Sequence, residues 1–434
     1  MNRLLVVVPV LLPLMVGAQE PSVDPARPIT LDEAVAMAQR NAPAAVQARG
    51  QIRNAGAGVS AAYSAFIPSF TVNASRSYQG GQASRVENGQ VIEAENPWST
   101  NMGLQAQLDL FDGGQRLFDL RAARATANAA EANDIAQRFG VAFQVKQAFY
   151  NALAARESES AAQSQREQAE QQLRAASARV AAGAATKSDS LRSVIQVGDA
   201  QLALLTSRNN LVSANATLTR LIGAPEPVTA DPSDTLDVAQ FAADSASMLE
   251  LAMEGPAVAQ AEANFTASRA ASRAARTPYL PTIGVSFNRS ANGPDLEFGF
   301  GEPFRYTTSW RFSLNYPIFN QFTREANRVR ADVAEENARA ALRDARLAAQ
   351  EELVQVIGAL RTAQQRVTIQ TVSVAAAEED LRVQQQRYAV GASTLLDVLT
   401  SQTQLNQARA ALISARYDYR VAKAQLEALV GREL

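Results

Sequence analysis

Two threonine–aspartate pairs stand at matching places in the sequence, 208 residues apart. Thr186 and Asp189 recur as Thr394 and Asp397 with the same spacing. The chain of 434 residues contains neither histidine nor cysteine, which removes thiol nucleophiles, histidine metal ligands and the usual general base. The remaining residues show no sequence pattern typical of a nucleophile paired with a general base, and none typical of a metal-binding cluster. We therefore predict no enzyme activity, no cofactor and no metal site, and expect the aspartates to act through charge and helix capping.

The repeated pair belongs to a tandem duplication. Arg-Val-Ala-Ala-Gly at 179–183 recurs as Arg-Tyr-Ala-Val-Gly at 387–391 with the same offset of 208 residues. Phe-Ile-Pro at 66–68 matches Tyr-Leu-Pro at 279–281 with an offset of 213, so a loop of variable length separates the two motifs. Each repeat therefore forms the same set of elements in the same order.

Proline placement locates the helices. No proline occurs between Trp98 and Ala224 or between Ile318 and Leu434, and proline ends helices. We predict repeat one over 19–225, a linker over 226–245 and repeat two over 246–434. Strands are predicted at 69–80, 99–111, 282–290 and 306–318, and long helices at 115–180, 190–221, 323–388 and 396–429. A shorter helix is expected before the strands of each repeat, over Asp32–Ala65 and Ala246–Thr277.

The first 18 residues resemble a secretory signal peptide. Arg3 supplies the positive charge, Leu4 to Met15 form the apolar core, and Val16-Gly17-Ala18 resembles a cleavage site. Without any cysteine, the chain is not expected to carry a lipid anchor. The formal net charge of −2 gives no basic excess that would indicate nucleic-acid binding.

The predicted strands alternate between apolar and polar residues. Leu104, Ala106 and Leu108 alternate with Gln105 and Gln107, which is typical of a strand with one apolar face. Two environments fit such a face: the core of a soluble sandwich, or lipid around a water-filled lumen. We favour membrane strands because the opposite face is polar and four aromatic residues lie at or near predicted strand ends. These aromatic residues are Trp98, Tyr279, Tyr306 and Trp310.

Membrane strands would require several copies of the chain. A sheet in lipid cannot keep free edges, and four strands cannot enclose a lumen. Two copies would give eight strands with a filled interior, whereas three copies would give twelve strands and a channel. We therefore expect a mainly α-helical chain whose membrane β-barrel is completed by other copies of the chain and is continued by a helical cylinder.

With this plan the chain resembles the TolC-type outer-membrane efflux family. The resemblance rests on the duplication, on Leu-Asp-Leu-Phe-Asp-Gly-Gly at 108–114, and on the run Arg-Tyr-Ala-Val-Gly-Ala-Ser-Thr-Leu-Leu-Asp-Val-Leu at 387–399. It implies a homotrimer with a twelve-strand β-barrel in the outer membrane, in contact with outer-membrane lipid, and an α-helical barrel that extends into the periplasm. It also implies two partners, a periplasmic adaptor protein and an inner-membrane pump of the RND, ABC or MFS type.

The resemblance also assigns roles to single residues. The turns at Gly183 and Gly391 would be the periplasmic tips that meet the adaptor. Asp397 matches an acidic ring that narrows the pore, and Tyr388 matches a tyrosine that latches the closed tip, with Asp189 as its acidic partner. The family's second ring carboxylate and its locking arginine are replaced by Thr400 and Ser393.

Three of these roles have simpler alternatives. Both aspartates resemble the acidic residue of a capping box, a role that is compatible with facing a pore. Tyr388 could be a helix-packing aromatic residue. Asp112, Gly113 and Gly114 are expected to form the switch from strand to helix, as an N-cap followed by glycines.

The function implied by the resemblance is a passive exit duct for small molecules in a tripartite efflux pump. The exit duct of a type I protein secretion system is the near alternative, since the same duct serves both. A coiled-coil surface adhesin is an alternative of a different class, and it would show sustained heptads with large apolar residues.

Overall fold

A computed structural model of the chain describes residues 26–78, 84–87, 90–93, 98–232, 245–293 and 305–434. The signal peptide predicted over 1–18 lies outside the described residues, as does most of the predicted linker. The α-helices are α1 (Leu31–Asn41), α2 (Pro43–Ser64), α3 (Gln115–Ala181), α4 (Lys187–Ile222), α5 (Ser245–Met253), α6 (Pro256–Ala274), α7 (Thr323–Ala389) and α8 (Leu395–Val430). The strands are β1 (Arg27–Ile29), β2 (Ser69–Tyr78), β3 (Ser84–Glu87), β4 (Gln90–Glu93), β5 (Trp98–Phe111), β6 (Val228–Ala230), β7 (Thr282–Gly293) and β8 (Arg305–Asn315).

Two very long helical hairpins dominate the fold. α3 and α7 each contain 67 residues, and α4 and α8 each contain 36. At 1.5 Å per residue the longer helices reach about 100 Å. α3 packs against α4, α7 packs against α8, and α3 also contacts α8. The helical layer therefore has the order α4–α3–α8–α7, with α4 and α7 at its two edges. None of the described helices has an apolar run sufficient to cross a membrane.

Prolines divide the shorter helices, which corrects the prediction of one helix over Asp32–Ala65 and another over Ala246–Thr277. α1 ends at Asn41 and α2 begins at Pro43, with Ala42 in an extended conformation at ψ 136°. α6 likewise begins at Pro256. Proline disfavours the helical conformation in the residue before it and is itself well suited to a first helical position, so each helix restarts there.

The principal sheet has four antiparallel strands in the order β2–β5–β7–β8. Its central pair, β5 and β7, joins the two repeats, and Thr100 of β5 lies opposite Gly293 at one end of that pairing. β2 and β8 are therefore the free edges of the sheet within one chain. A second antiparallel hairpin, β3–β4, and a parallel pair, β1–β6, complete the described strands.

The registers give this sheet one apolar and one polar face. Val72 lies opposite Leu104, Phe287 lies between Ala106 and Trp310, and their side chains share a face. The residues between them point to the other face and are mainly polar; they include Thr71, Asn73, Gln105, Gln107, Ser286, Asn288, Arg311 and Ser313. This arrangement supplies the lipid-facing and lumen-facing surfaces that a membrane barrel needs.

The aromatic residues expected at strand ends divide into two groups. Trp98 begins β5 and Tyr306 lies one residue into β8, while Tyr279 precedes β7. Trp310 instead lies in the middle of β8, where its ring centroid is 4.8 Å from that of Phe287. Trp310 is therefore part of the apolar face and was wrongly predicted near a strand end.

Two apolar clusters fix the helices above the tips. The first surrounds Phe149 of α3 and includes residues of α1, β1, β6 and the buried Tyr417 of α8. The second lies between α7 and α8 around Leu360 and Leu426. A much smaller cluster of Leu381, Val398 and Leu405 holds the lower part of the second hairpin.

Candidate functional site

The strand-to-helix switch of repeat one is organised by Asp112. Its carboxylate accepts hydrogen bonds from the backbone N–H of Gly114 at 3.0 Å and of Arg116 at 2.9 Å. The Arg116 Nε atom donates to the same carboxylate at 2.7 Å. Burial alone would raise the pKa of Asp112, but the hydrogen bonds and charge of Arg116 bring it below its ordinary value. The capping position is occupied by Gly114, and Asp112 caps the helix from two residues upstream.

Repeat two makes the same turn without glycine. Gly113 and Gly114 have φ angles of 68° and 84°, and the equivalent Gln321 and Phe322 keep left-handed φ angles of 57° and 59°. This conformation is unfavourable for residues with a β-carbon. The turn of repeat two therefore stores strain that the glycines of repeat one avoid.

We expect Gln321→Gly to stabilise the chain by about 0.5–1 kcal/mol, because relief of left-handed strain exceeds the extra flexibility of glycine. The thermal unfolding temperature of the purified protein would measure this gain. The control is Gly113→Ala, which should destabilise, because a β-carbon there would lie 2.6 Å from the Cβ atom of Leu280. An unfolding temperature lowered by Gln321→Gly would contradict this account.

The two helix-to-helix turns share one geometry. Gly183 and Gly391 have φ angles of 72° and 78°. After each glycine, the next N–H reaches back to the carbonyl of Arg179 or Arg387 at 2.8 Å, which closes the helix end. A β-carbon at either glycine would meet no atom within 4 Å. The left-handed backbone requires glycine at these turns, and open space surrounds them.

Both repeated aspartates cap the helix that follows the turn, as the capping-box spacing predicted. The Asp189 carboxylate accepts from the N–H of Thr186 at 3.1 Å, and the Asp397 carboxylate accepts from the N–H of Thr394 at 2.8 Å. The hydrogen bonds from Thr394 lower the pKa of Asp397. The exposed Asp397 side chain therefore carries a full negative charge at neutral pH.

The structure does not bring Tyr388 and Asp189 into hydrogen-bond contact within one chain. The Tyr388 hydroxyl is buried and has no hydrogen-bond partner among the residues described. The Tyr388 ring instead lies beneath Arg179, whose Cζ atom is 4.4 Å from the ring centroid. Arg179 was not singled out from the sequence, although it lies at the start of the repeated motif.

At the two positions that depart from the family pattern, each side-chain hydroxyl forms a hydrogen bond within its own hairpin. Ser393 donates to the carbonyl of Gln384 at 3.3 Å, and Thr400 donates to that of Leu396 at 2.9 Å. Among the residues that the structure describes, no three acidic side chains lie together in a way that could hold a metal ion.

The free edges of the helical layer carry apolar surface that sequence reasoning missed. On α4, six large apolar residues are exposed in the single chain, and all but Val194 follow heptad spacing; we call these five the α4 seam, which consists of Leu191, Ile195, Leu202, Leu205 and Val212. Exposed apolar residues also run along α7; they are Val329, Val333, Leu347, Val354, Ile369 and Val372. The heptad spacing on α4 was the signal, and it is present in the sequence, because this helix contains seven Leu but only four Ala and two Gln.

Comparison with known proteins decides the family. The outer membrane efflux protein family matches residues 34–224 and 250–432, which is most of the chain. The chain belongs to this family. As an outer membrane efflux protein it resides in the outer membrane, with its helical hairpins in the periplasm. The predicted resemblance, fold class and function are thereby confirmed.

Relatives and solved structures agree with this assignment. The efflux protein is 27% identical to the protein CyaE of Bordetella pertussis over 361 residues, covering 79% of this chain and 71% of the relative. It is 27% identical to the pyoverdine export outer membrane protein OpmQ of Pseudomonas aeruginosa over 344 residues, covering 78% and 69%. Its fold matches the crystal structure of the outer membrane protein VceC from Vibrio cholerae with a TM-score of 0.75 at 18% identity, covering 93% and 96%. Outer membrane factors of efflux pumps work as trimers together with an adaptor and an inner-membrane pump.

Proposed function

We propose that three copies of this efflux protein close into one continuous duct, which passively conducts small molecules from the periplasm across the outer membrane. The observation that carries the proposal is that both layers of the single chain end in free edges. The sheet ends at β2 and β8, and the helical layer ends at α4 and α7.

The strand edges support closure by other copies. In lipid, the unpaired N–H and C=O groups of β2 and β8 would each cost several kcal/mol, so both edges need partners. β2 and β8 run in opposite directions, because three antiparallel pairings separate them. β8 of one copy can therefore pair antiparallel with β2 of the next, and three copies give about twelve strands, enough for a lumen.

The helical edges support the same ring. The α4 seam and the exposed apolar residues of α7 lie on opposite edges of the helical layer, so α4 of one copy can meet α7 of the next. Each contact would bury apolar surface that water covers in the single chain. The helical cylinder would thus continue the barrel into the periplasm.

We place the gate of the duct at the tips. Three copies of Asp397 around one axis would form an acidic ring that favours cations. Tyr388 and Asp189 are proposed to latch the closed tip. Both hydrogen bonds from Thr186 go to Oδ2 of Asp189, which leaves Oδ1 to accept a bond from the Tyr388 hydroxyl in the latched tip. That bond would satisfy a buried hydroxyl whose isolation costs about 1–3 kcal/mol.

The proposed partners meet the duct at the same place. The turns at Gly183 and Gly391 expose backbone and small side chains, which suits docking of a periplasmic adaptor through main-chain contacts. The duct would catalyse no reaction, and an inner-membrane pump of the RND, ABC or MFS type would supply the energy.

Reconstitution of the purified protein in planar bilayers tests the duct. We expect discrete cation-selective channels and a trimer that resists extraction from outer membranes. A folded trimer that conducts no ions would contradict the proposal and favour a structural surface protein.

A further inference from the structure

Four side-chain contacts between the two hairpins recur at a fixed interval along α3. Their α3 members lie 11 residues apart, which is three helical turns, so they share one face of the helix. The contacts are Lys146 with Glu427 at 2.6 Å, Glu157 with Tyr417 at 2.9 Å, Gln168 with Gln402 at 3.2 Å, and Arg179 with the carbonyl of Tyr388 at 3.2 Å. We call this set the polar seam.

The upper and lower halves of the polar seam differ in their surroundings. Tyr417 is 6% exposed and lies in the apolar cluster around Phe149, so the second hairpin is fixed to α3 at this level. Below Gln168, a groove of about 570 Å³ opens between α3 and the second hairpin. Its walls combine polar residues such as Gln172 and Arg382 with apolar residues such as Leu381 and Val398. The apolar cluster at this level contains only residues of α7 and α8, so no apolar cluster of the described residues joins the lower ends of the two hairpins.

The helices pack more extensively within each hairpin than between the two hairpins. Tyr388 packs against the cluster of Leu381, Val398 and Leu405 and so moves with α7 and α8. Arg179 lies in the last turn of α3 and moves with the first hairpin. A contact between these two residues thus joins two separately packed bodies.

Arg179 makes two contacts with Tyr388. Its Nη1 atom donates to the Tyr388 carbonyl at 3.2 Å, and its guanidinium lies 4.4 Å from the ring centroid. The equivalent arginine of repeat two, Arg387, donates instead to the carbonyl of Ala392 in its own turn at 3.3 Å. The duplication therefore supplies the same residue twice, but in this structure Arg179 is the copy that reaches the other hairpin.

We propose that Arg179 is a positioning residue that clamps the second hairpin tip against the first and thereby sets the resting aperture of the duct. The second hairpin would swing about the fixed level of Glu157 and Tyr417, about 33 Å above the clamp. This inference rests on the proposed gate at the tip, and it differs from the hydroxyl latch because the clamp uses the ring and the backbone carbonyl of Tyr388.

Substitutions of Arg179 and of Tyr388 distinguish the effect of the clamp from that of the hydroxyl latch. A cation–π contact joined to a charge-assisted hydrogen bond corresponds to roughly a tenfold change in the ratio of open to closed tips. We expect Arg179→Ala to raise that ratio in single-channel recordings by about this factor, and Tyr388→Ala to do the same. Tyr388→Phe keeps the ring and the carbonyl, so it should leave the clamp intact. Combining Arg179→Ala with Tyr388→Ala should add little to either change alone.

The matched control is Arg174→Ala, which removes an exposed arginine from the same helix. All variants should keep the trimer, so a change confined to conductance cannot come from general destabilisation. Wild-type open probability in Arg179→Ala would overturn the clamp. Opening by Tyr388→Phe alone would report the hydroxyl latch, and Arg179→Ala should open the tip further in that background; no further opening there would also overturn the clamp.

A second measurement does not depend on conduction. Because the chain has no cysteine, Ala184→Cys and Ala392→Cys can carry spin labels on the two tips of each protomer. Arg179→Ala should lengthen and broaden the distance between the labels, and unchanged distances would overturn the clamp. If wild-type protein conducts no ions while the distances still respond, the duct fails and the clamp stands.

Discussion

Replacing Leu202 with glutamate is expected to convert the trimer into monomers and to abolish channels in planar bilayers. Leu202 lies in the middle of the α4 seam and is 65% exposed in the single chain. Covering such a side chain contributes roughly 2 kcal/mol, and a trimer contains three copies of the contact. The glutamate would in addition place an unpaired charge in each interface, which costs more than the lost burial.

Migration of the unheated protein in detergent gels and light scattering would measure the change. Asn210→Glu introduces the same charge at an exposed position of α4 that has no residue of the α4 seam three or four positions away, and should leave the trimer intact. Leu202→Met keeps the apolar volume and should also assemble. A trimeric and conducting Leu202→Glu variant would mean that α4 faces water rather than the next copy.

The duplication explains why so much of the secondary structure could be predicted. α3 was expected over 115–180 and runs over Gln115–Ala181, while α7 was expected over 323–388 and runs over Thr323–Ala389. Long stretches without proline and a glycine at each turn are local signals, and each occurs twice. The start of α4 was placed late, at 190, because the prediction did not use Thr186 as the residue that begins the helix at Lys187.

Local signals also explain the error at Pro43. The predicted helix ran from Asp32 through this residue to Ala65, and the prediction did not apply the steric restriction that proline imposes on Ala42. The backbone follows the restriction, because a first helical position costs proline nothing whereas a helix interior costs about 3 kcal/mol.

Contacts between the hairpins could not be predicted in the same way. The choice of Asp189 as a partner for Tyr388 rested on resemblance, and within one chain Asp189 binds Thr186 while Tyr388 lies against Arg179. Which side chains meet depends on the rotation of one helix about its axis relative to another, and no short motif encodes that rotation. The interval of 11 residues along α3 became meaningful only when its partners on α7 and α8 were seen.

Asp397 permits a sharp test of the gate, because its capping role and its charge can be separated. We expect Asp397→Asn to lower the preference of the channel for K⁺ over Cl⁻ on the order of fivefold, as expected for close charges in water. Thr394→Ala removes the capping partner but keeps the carboxylate, so it should preserve selectivity. Thr400→Asp adds a carboxylate one turn above Asp397, further from the tip, and should increase the selectivity.

Salt and pH give this prediction two further consequences. The difference between wild type and Asp397→Asn should shrink as salt rises from 0.1 M to 1 M, because the screening length falls from about 10 Å to about 3 Å. Hydrogen bonds from Thr394 lower the pKa of Asp397, so the charged form persists as the pH falls, and selectivity should be retained at pH 5. If Thr394→Ala lost selectivity as fully as Asp397→Asn, the aspartate would matter as a helix cap. A selectivity that none of these variants altered would place the narrowest part of the duct elsewhere.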